Sequence, residues 1–96
     1  MSISNENLDN YVLANLPECS FSVTCTGWKY DAGLFNFRDP ETGEKLTLDR
    51  AKARKGLALY RKLRASQGQT LVYENFDGED VDCIVQMALF GSIVYG

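Results

Sequence analysis

Cysteines and carboxylates are the side chains of this chain that are best able to do chemistry. The cysteines are Cys19, Cys25 and Cys83, and their odd number and the lack of a CxxC spacing disfavour a disulfide framework and a structural zinc site. The chain has no histidine, which excludes a histidine-dependent hydrolytic triad and a histidine-based metal centre. We therefore expect a protein that is not an enzyme and that has no metal and no cofactor. Cys25 and Cys83 are expected to be free thiols buried in the core.

Four carboxylates lie close together near the end of the chain, at Asp77, Glu79, Asp80 and Asp82. Their spacing invites comparison with a calcium loop, but the twelve-residue span and the closing bidentate glutamate of an EF-hand are missing. The cap and first turns of a helix explain them better, because carboxylates there oppose the positive end of the helix dipole. A less favoured interpretation is an acidic surface patch that imitates nucleic-acid phosphates toward a basic host protein.

The basic residues are concentrated in one segment. Seven of the ten lie between Arg50 and Arg64, a stretch without any acid, whereas three basic residues accompany all thirteen acids elsewhere. On a helix, Arg50, Arg54 and Arg61 fall in one row, hereafter the basic row, which could grip phosphates or carboxylates bidentately. The alternative is a solvated helix face. The predicted partner-binding residues are Arg50, Arg54, Lys55, Arg61, Lys62, Glu79 and Asp82.

The elements that must position these side chains follow from the periodicity of the apolar residues. Ser4 or Asn5 begins a helix whose apolar residues recur every three to four positions and which Pro17 ends. From Ser20 the period changes to two. The turn signals that follow predict an antiparallel meander of three strands over residues 20–47.

A second helix carries the basic segment. Thr47 or Asp49 caps it, and it extends to about Ala65. Gly56 lies on the apolar side of this helix, where glycine costs about 1 kcal/mol relative to alanine. We therefore expect Gly56 to permit close approach of a strand or an aromatic ring.

The remaining sequence predicts a fourth strand at Thr70–Asn75 and a third helix that Asp77 caps and Gly91 ends. The apolar tail after Gly91 is expected to pack back on the core or to add an edge strand. The predicted fold is thus a single α+β domain, residues 1–96, with a four-stranded, mainly antiparallel sheet and three helices in the order α-β-β-β-α-β-α. The second and third helices should pack on one sheet face through Leu57, Tyr60, Leu63, Ile84, Val85 and Leu89.

Four aromatic residues of the meander are expected to lie mostly in the core. One exposed pair among them would be a candidate contact for a partner, because aromatic side chains dominate interface energetics. They are Trp28, Tyr30, Phe35 and Phe37.

The end of the chain resembles small, mostly uncharacterised proteins of tailed phages and prophages that end in a D…QxALFGxxxYG motif. The matching residues are Asp82, Gln86, Ala88, Leu89, Phe90, Gly91, Tyr95 and Gly96. The DPETGE turn, the LT that opens a helix and the Gly56-Leu57 pair inside that helix are also similar, so the resemblance covers residues 28–96. The dense basic residues of the second helix depart from it. The resemblance implies a small accessory protein made in an infected bacterium, and it transfers no functional residues.

Two functions remain open from the sequence. The first is a phage-type protein that binds and inhibits or modulates a host protein complex, such as CRISPR–Cas or another defence system. The second is direct binding of nucleic acid through Arg50, Arg54, Lys55, Arg61 and Lys62, which the overall negative charge opposes. The N-terminal residues do not resemble a secretory signal and no long apolar run exists, so we expect the host bacterial cytoplasm and no membrane contact.

Overall fold

The computed structural model describes residues 4–19, 22–70 and 72–95, and within them it has an α+β architecture with a three-stranded antiparallel sheet. The helices are α1 (Asn5–Tyr11), the single turn α2 (Leu16–Cys19), α3 (Arg50–Ser66) and α4 (Gly78–Phe90), and the strands are β1 (Thr24–Lys29), β2 (Leu34–Arg38) and β3 (Lys45–Leu48). In this part of the chain, no helix combines the length and the apolar character needed to cross a membrane.

The sheet confirms the antiparallel meander. Its strand order is β1-β2-β3, with β1 and β3 at the edges. A bulge between Cys25 and Gly27 interrupts the pairing of β1 with β2, as glycine inside a strand pattern often indicates. The predicted start of this strand, at Ser20 and Phe21, lies outside the described residues. Phe35 and Phe37 point inward and are fully buried, whereas the residues that alternate with them face outward.

The predicted fourth strand was wrong. Residues 73–75 form a 3-10 turn, and the described residues of the Thr70–Asn75 segment pair with no strand; Leu71 lies outside them. Because α3 and α4 pack directly on each other, this segment serves as the short connection between two helix ends. Its run of apolar residues does not alternate and so never specified a buried face, and Val72 is 48% exposed.

The first helix is shorter than predicted but belongs to the core. Ser4 caps α1 by accepting a hydrogen bond from the Asn7 backbone. Pro17 does not end this helix, which ends at Tyr11; it lies instead in the first turn of α2, where a missing N–H is tolerated. The buried apolar residues of this region are Leu8, Val12, Leu13 and Leu16.

Gly56 permits a close approach, although its neighbour is a helix and not the predicted strand or ring. A Cβ at Gly56 would lie 2.6 Å from the Ile84 carbonyl oxygen and 2.7 Å from Ala88 Cβ on α4. This contact brings α3 and α4 together along their apolar sides. Of the six residues predicted to pack both helices on a sheet face, Leu57, Tyr60, Ile84 and Val85 are buried and Leu63 and Leu89 are partly buried. The main contact of α3 is with α4 and not with the sheet.

Helix capping follows the sequence closely. Asp49 caps α3, and its side chain accepts a hydrogen bond from the Lys52 backbone at 2.8 Å; Thr47 lies in β3. Asp77 caps α4 in a reciprocal capping box with Asp80. Gly91 ends α4 with φ 76°, a left-handed conformation that glycine adopts without strain.

Candidate functional surfaces

Arg50, the first member of the basic row, is bound inside the molecule. Its Nε and Nη2 donate to the two carboxylate oxygens of Asp9 on α1, each at 3.0 Å, and Nη2 also donates to the Asp31 carbonyl at 3.3 Å. The hydrogen bond with Asp9 raises the pKa of the Arg50 guanidinium further above its ordinary value. Arg50 therefore ties α1, the β1–β2 turn and α3 to one another.

The other four predicted basic partner residues on α3 differ in their contacts and exposure. Arg54 donates to the Asn5 side chain on α1, and Arg61 is half-buried. Lys55 and Lys62 are exposed. They lie two helical turns apart on the outer face, so they form a separate basic surface from the row that meets α1.

The two predicted acidic partner residues have different surroundings. Glu79 is exposed in the first turn of α4. Asp82 is 8% exposed, and its carboxylate accepts hydrogen bonds from the Ser22 backbone at 2.9 Å and the Ser22 hydroxyl at 2.7 Å. Glu79 can therefore meet a partner in the folded protein, whereas Asp82 holds the chain before β1 against α4.

Gln86 links Asp82 to the C-terminal tail. Its side-chain nitrogen donates to Asp82 and to the Tyr95 carbonyl, and its oxygen accepts from the backbone of Val94 and Tyr95 at 2.9 and 2.7 Å. The Tyr95 hydroxyl then donates to Asp39 at 2.5 Å. The tail thus packs back on the core, which is one of the two alternatives that the sequence predicted. Asp82, Gln86 and Tyr95, three of the residues on which the expected phage-protein resemblance rests, here form structural hydrogen bonds.

A groove of about 250 Å³ runs between α3 and α4, and Tyr60, Arg64 and Cys83 help to line it. The Tyr60 hydroxyl donates to Asp80 at 2.5 Å and accepts from Arg64 Nε at 3.0 Å. Burial, and then the hydrogen bond with Asp80, raises the pKa of Tyr60, and burial raises the pKa of the half-buried Cys83 thiol. Both groups are neutral near pH 7, so neither the Tyr60 hydroxyl nor the Cys83 thiol is an activated nucleophile there.

Cys25 resembles Cys83 in its environment. It is also free and half-buried, and burial raises the pKa of its thiol. Both cysteines are therefore more accessible than the fully buried thiols that the sequence predicts. Within residues 4–19, 22–70 and 72–95, no three cysteine or carboxylate side chains come together as a possible metal site.

The end of the β1–β2 hairpin exposes three large apolar side chains, which we call the hairpin end. They are Trp28, Tyr30 and Leu34, with exposed fractions of 54%, 38% and 40%. Of the four aromatic residues that the sequence placed mostly in the core, Phe35 and Phe37 are buried, whereas Trp28 and Tyr30 are exposed and form the exposed pair considered as a candidate contact.

The hairpin end is held in place by its turn. Gly33 has φ 65°, and a Cβ there would lie 2.7 Å from Arg50 Cγ. The Arg50 side chain therefore packs on Gly33 while its guanidinium bonds the Asp31 carbonyl. Ordered turns reduce the conformational entropy lost on binding.

Comparison of the chain with models of protein families, with curated proteins and with solved structures found no match.

Proposed function

We propose that this protein is a small phage-type accessory protein that binds a host protein complex in the bacterial cytoplasm and inhibits or modulates it. A defence system such as CRISPR–Cas is the candidate target. The hairpin end is the observation that carries the proposal. Tryptophan and tyrosine dominate the binding energy of protein interfaces. Here Trp28 is exposed near the end of β1, and Tyr30 is exposed on the following turn, which Arg50 contacts through the Asp31 carbonyl.

Exposed charge on either side of the molecule supports protein recognition. Lys55 and Lys62 present one sign on α3, and Glu79 presents the other on α4. Rim charges of this kind steer association and select partners more than they add affinity. The same placement weakens direct nucleic-acid binding by α3, since Arg50 and Arg54 of the proposed five-residue site already bond α1.

The proposal is tested by affinity purification of the tagged protein from infected or expressing bacteria. Wild type should recover a defined host complex, and Trp28→Ser should weaken its binding by about 30-fold, the equivalent of a 2 kcal/mol hot spot. Val94→Ser is the matched control, because Val94 and Trp28 are both 54% exposed. If wild type recovers no protein partner, the proposal fails; if Trp28→Ser binds as wild type does, the hairpin end is not the contact.

Charge reversal then identifies which of the exposed charged surfaces contributes to partner binding. Lys55→Glu with Lys62→Glu changes the basic surface of α3, and Glu79→Lys changes the acidic one. Neither change affects a side chain that forms a hydrogen bond within the described structure. Charge reversal at Arg54 or Asp82 would remove such hydrogen bonds. We expect a slower association rate and a weaker salt dependence from one of the two changes.

A further inference from the structure

The three basic residues outside the basic segment lie on one face of the sheet. They are Lys29 on β1, Arg38 on β2 and Lys45 on β3, and all three are exposed. Lys29 pairs with Leu34, Thr24 with Arg38, and Arg38 with Lys45. Since side chains alternate along a strand, this register places all three basic residues on the face opposite Phe35 and Phe37.

Besides its basic residues, this surface, the open face, carries mainly polar side chains, with Leu34 as an exposed apolar one. Its other exposed positions include Thr24, Thr26, Asn36 and Thr47. A groove of about 380 Å³ crosses it, lined by Thr26, Asn36, Arg38, Lys45 and Thr47 among others. The strand positions that face this way carry no acid. The open face is therefore basic, although the chain has a net charge of −3.

Arg38 and Lys45 lie directly opposite each other on neighbouring strands. Like charges in this arrangement destabilise a sheet. In the described part of the chain, neither side chain forms an ion pair with a carboxylate. An anion bound between them would relieve this repulsion, and the Thr26 hydroxyl and the Asn36 amide nitrogen would donate further hydrogen bonds. The Thr47 hydroxyl already donates to Asn36 Oδ1 at 3.4 Å.

We propose that the open face binds the backbone of single-stranded nucleic acid. Phosphate and sugar contacts in proteins come from arginine, lysine, threonine and asparagine side chains, which is the composition of this groove. An acidic protein is a poorer fit, because the centre of a protein interface is apolar and depleted in charge. Leu34 lies on the face and Tyr30 follows Lys29 at its end, where an aromatic ring can stack on a base.

This inference does not depend on the proposed function, because its ligand is different and its basic residues lie on the face opposite Trp28, although Tyr30 and Leu34 border both surfaces. If both are correct, the molecule contacts a nucleoprotein complex through two neighbouring surfaces. Failure of one leaves the other intact, since a purified oligonucleotide tests the open face without any host protein.

The test is fluorescence anisotropy with a labelled single-stranded DNA of about ten nucleotides, a length within the range that single-strand-binding surfaces cover. For three phosphate contacts, the logarithm of the binding constant should fall with the logarithm of salt concentration with a slope of about −2. Each of Lys29→Gln, Arg38→Gln and Lys45→Gln should reduce the size of this slope by about 0.7. Lys55→Gln and Lys62→Gln remove the same charge from α3 and should leave the slope unchanged.

Several results would overturn the proposal. Absence of binding by wild type at about 20 mM salt is one, because electrostatic binding is strongest there. Equal losses for the open-face and α3 variants would assign binding to overall charge or to α3. A labelled polyglutamate that binds as tightly as DNA, and that the same open-face variants release, would show an acidic protein ligand instead. Thermal unfolding of each variant confirms that the fold is retained.

Discussion

At the scale of single residues, at least three of the seven side chains that the sequence suggested for partner binding, those of Arg50, Arg54 and Asp82, form hydrogen bonds within the fold. Arg50 bonds Asp9, and Asp82 bonds Ser22. Charge type and spacing could be found from the sequence, but whether a charge meets solvent depends on what packs beside it. α1 supplies that neighbour for Arg50, at a separation of 41 residues that local pattern cannot detect.

The hydrogen bond from Tyr95 to Asp39 makes stability depend on pH at both extremes. It lowers the pKa of Asp39, together with the Glu41 backbone N–H, and raises the pKa of Tyr95 to about 12. A lowered carboxyl pKa stabilises the fold above its ordinary value of about 4 and loses this effect as pH falls. A raised phenol pKa stabilises it below about 10 and loses the effect as pH rises toward 12.

We therefore expect Tyr95→Phe to be less stable than wild type by a constant amount between about pH 4 and pH 10, with the difference shrinking beyond both limits. Urea unfolding of both proteins across this range measures it. Tyr30→Phe is the control, since it removes a phenol from the exposed hairpin end. A difference between wild type and Tyr95→Phe that stays the same at pH 3 and pH 11.5 would contradict the role of this bond.

At the scale of elements, helices were predicted better than strands. Caps such as Asp49 and Asp77 act through hydrogen bonds to residues three positions away, so sequence contains the whole interaction. A strand exists only if another strand pairs with it. The Thr70–Asn75 segment has a strand-like composition but no available neighbour, because its ends are fixed by α3 and α4.

Substitution of Gly56 tests the contact between α3 and α4. Gly56→Ala should lower the free energy of unfolding by about 1–2 kcal/mol, because the overpacking cost exceeds the gain in helix propensity. The new Cβ would otherwise lie 2.6 Å from the Ile84 carbonyl oxygen, which belongs to the backbone and cannot rotate away.

Chemical denaturation measures the Gly56→Ala effect. Ala58→Gly on the exposed face of α3 is the control and should cost about 1 kcal/mol from helix propensity alone. Stabilisation by Gly56→Ala would mean that the two helices are further apart than the structure shows.

At the scale of the whole molecule, one core joins both ends of the described chain. Leu8 on α1 is fully buried in the same cluster as Phe35 and Ile84. The phage-protein resemblance expected from the sequence begins at residue 28, so from the sequence the N-terminal helix could be mistaken for an appendage. Its burial shows that it contributes to the stability of the whole domain.

Leu8→Ala should therefore lower the free energy of unfolding by about 2–5 kcal/mol, a large part of the 5–15 kcal/mol typical of a domain. Leu34→Ala, at a side chain that is 40% exposed, should change it by about 0.5 kcal/mol. Denaturant unfolding followed by circular dichroism measures both. Equal effects of the two changes would show that α1 does not belong to the core.

The sequence by itself determined the α+β class, the helix caps, the antiparallel meander and the inward side of each main helix. These depend on backbone propensities and on periods of two and 3.6 residues, which act locally. The tertiary structure alone decided the number of strands, the exposure of Trp28 and the internal hydrogen bonds of Arg50 and Asp82. It also gathered Lys29, Arg38 and Lys45 on one face. Exposure and charge pairing depend on neighbours that are distant in sequence, and only packing brings those neighbours together.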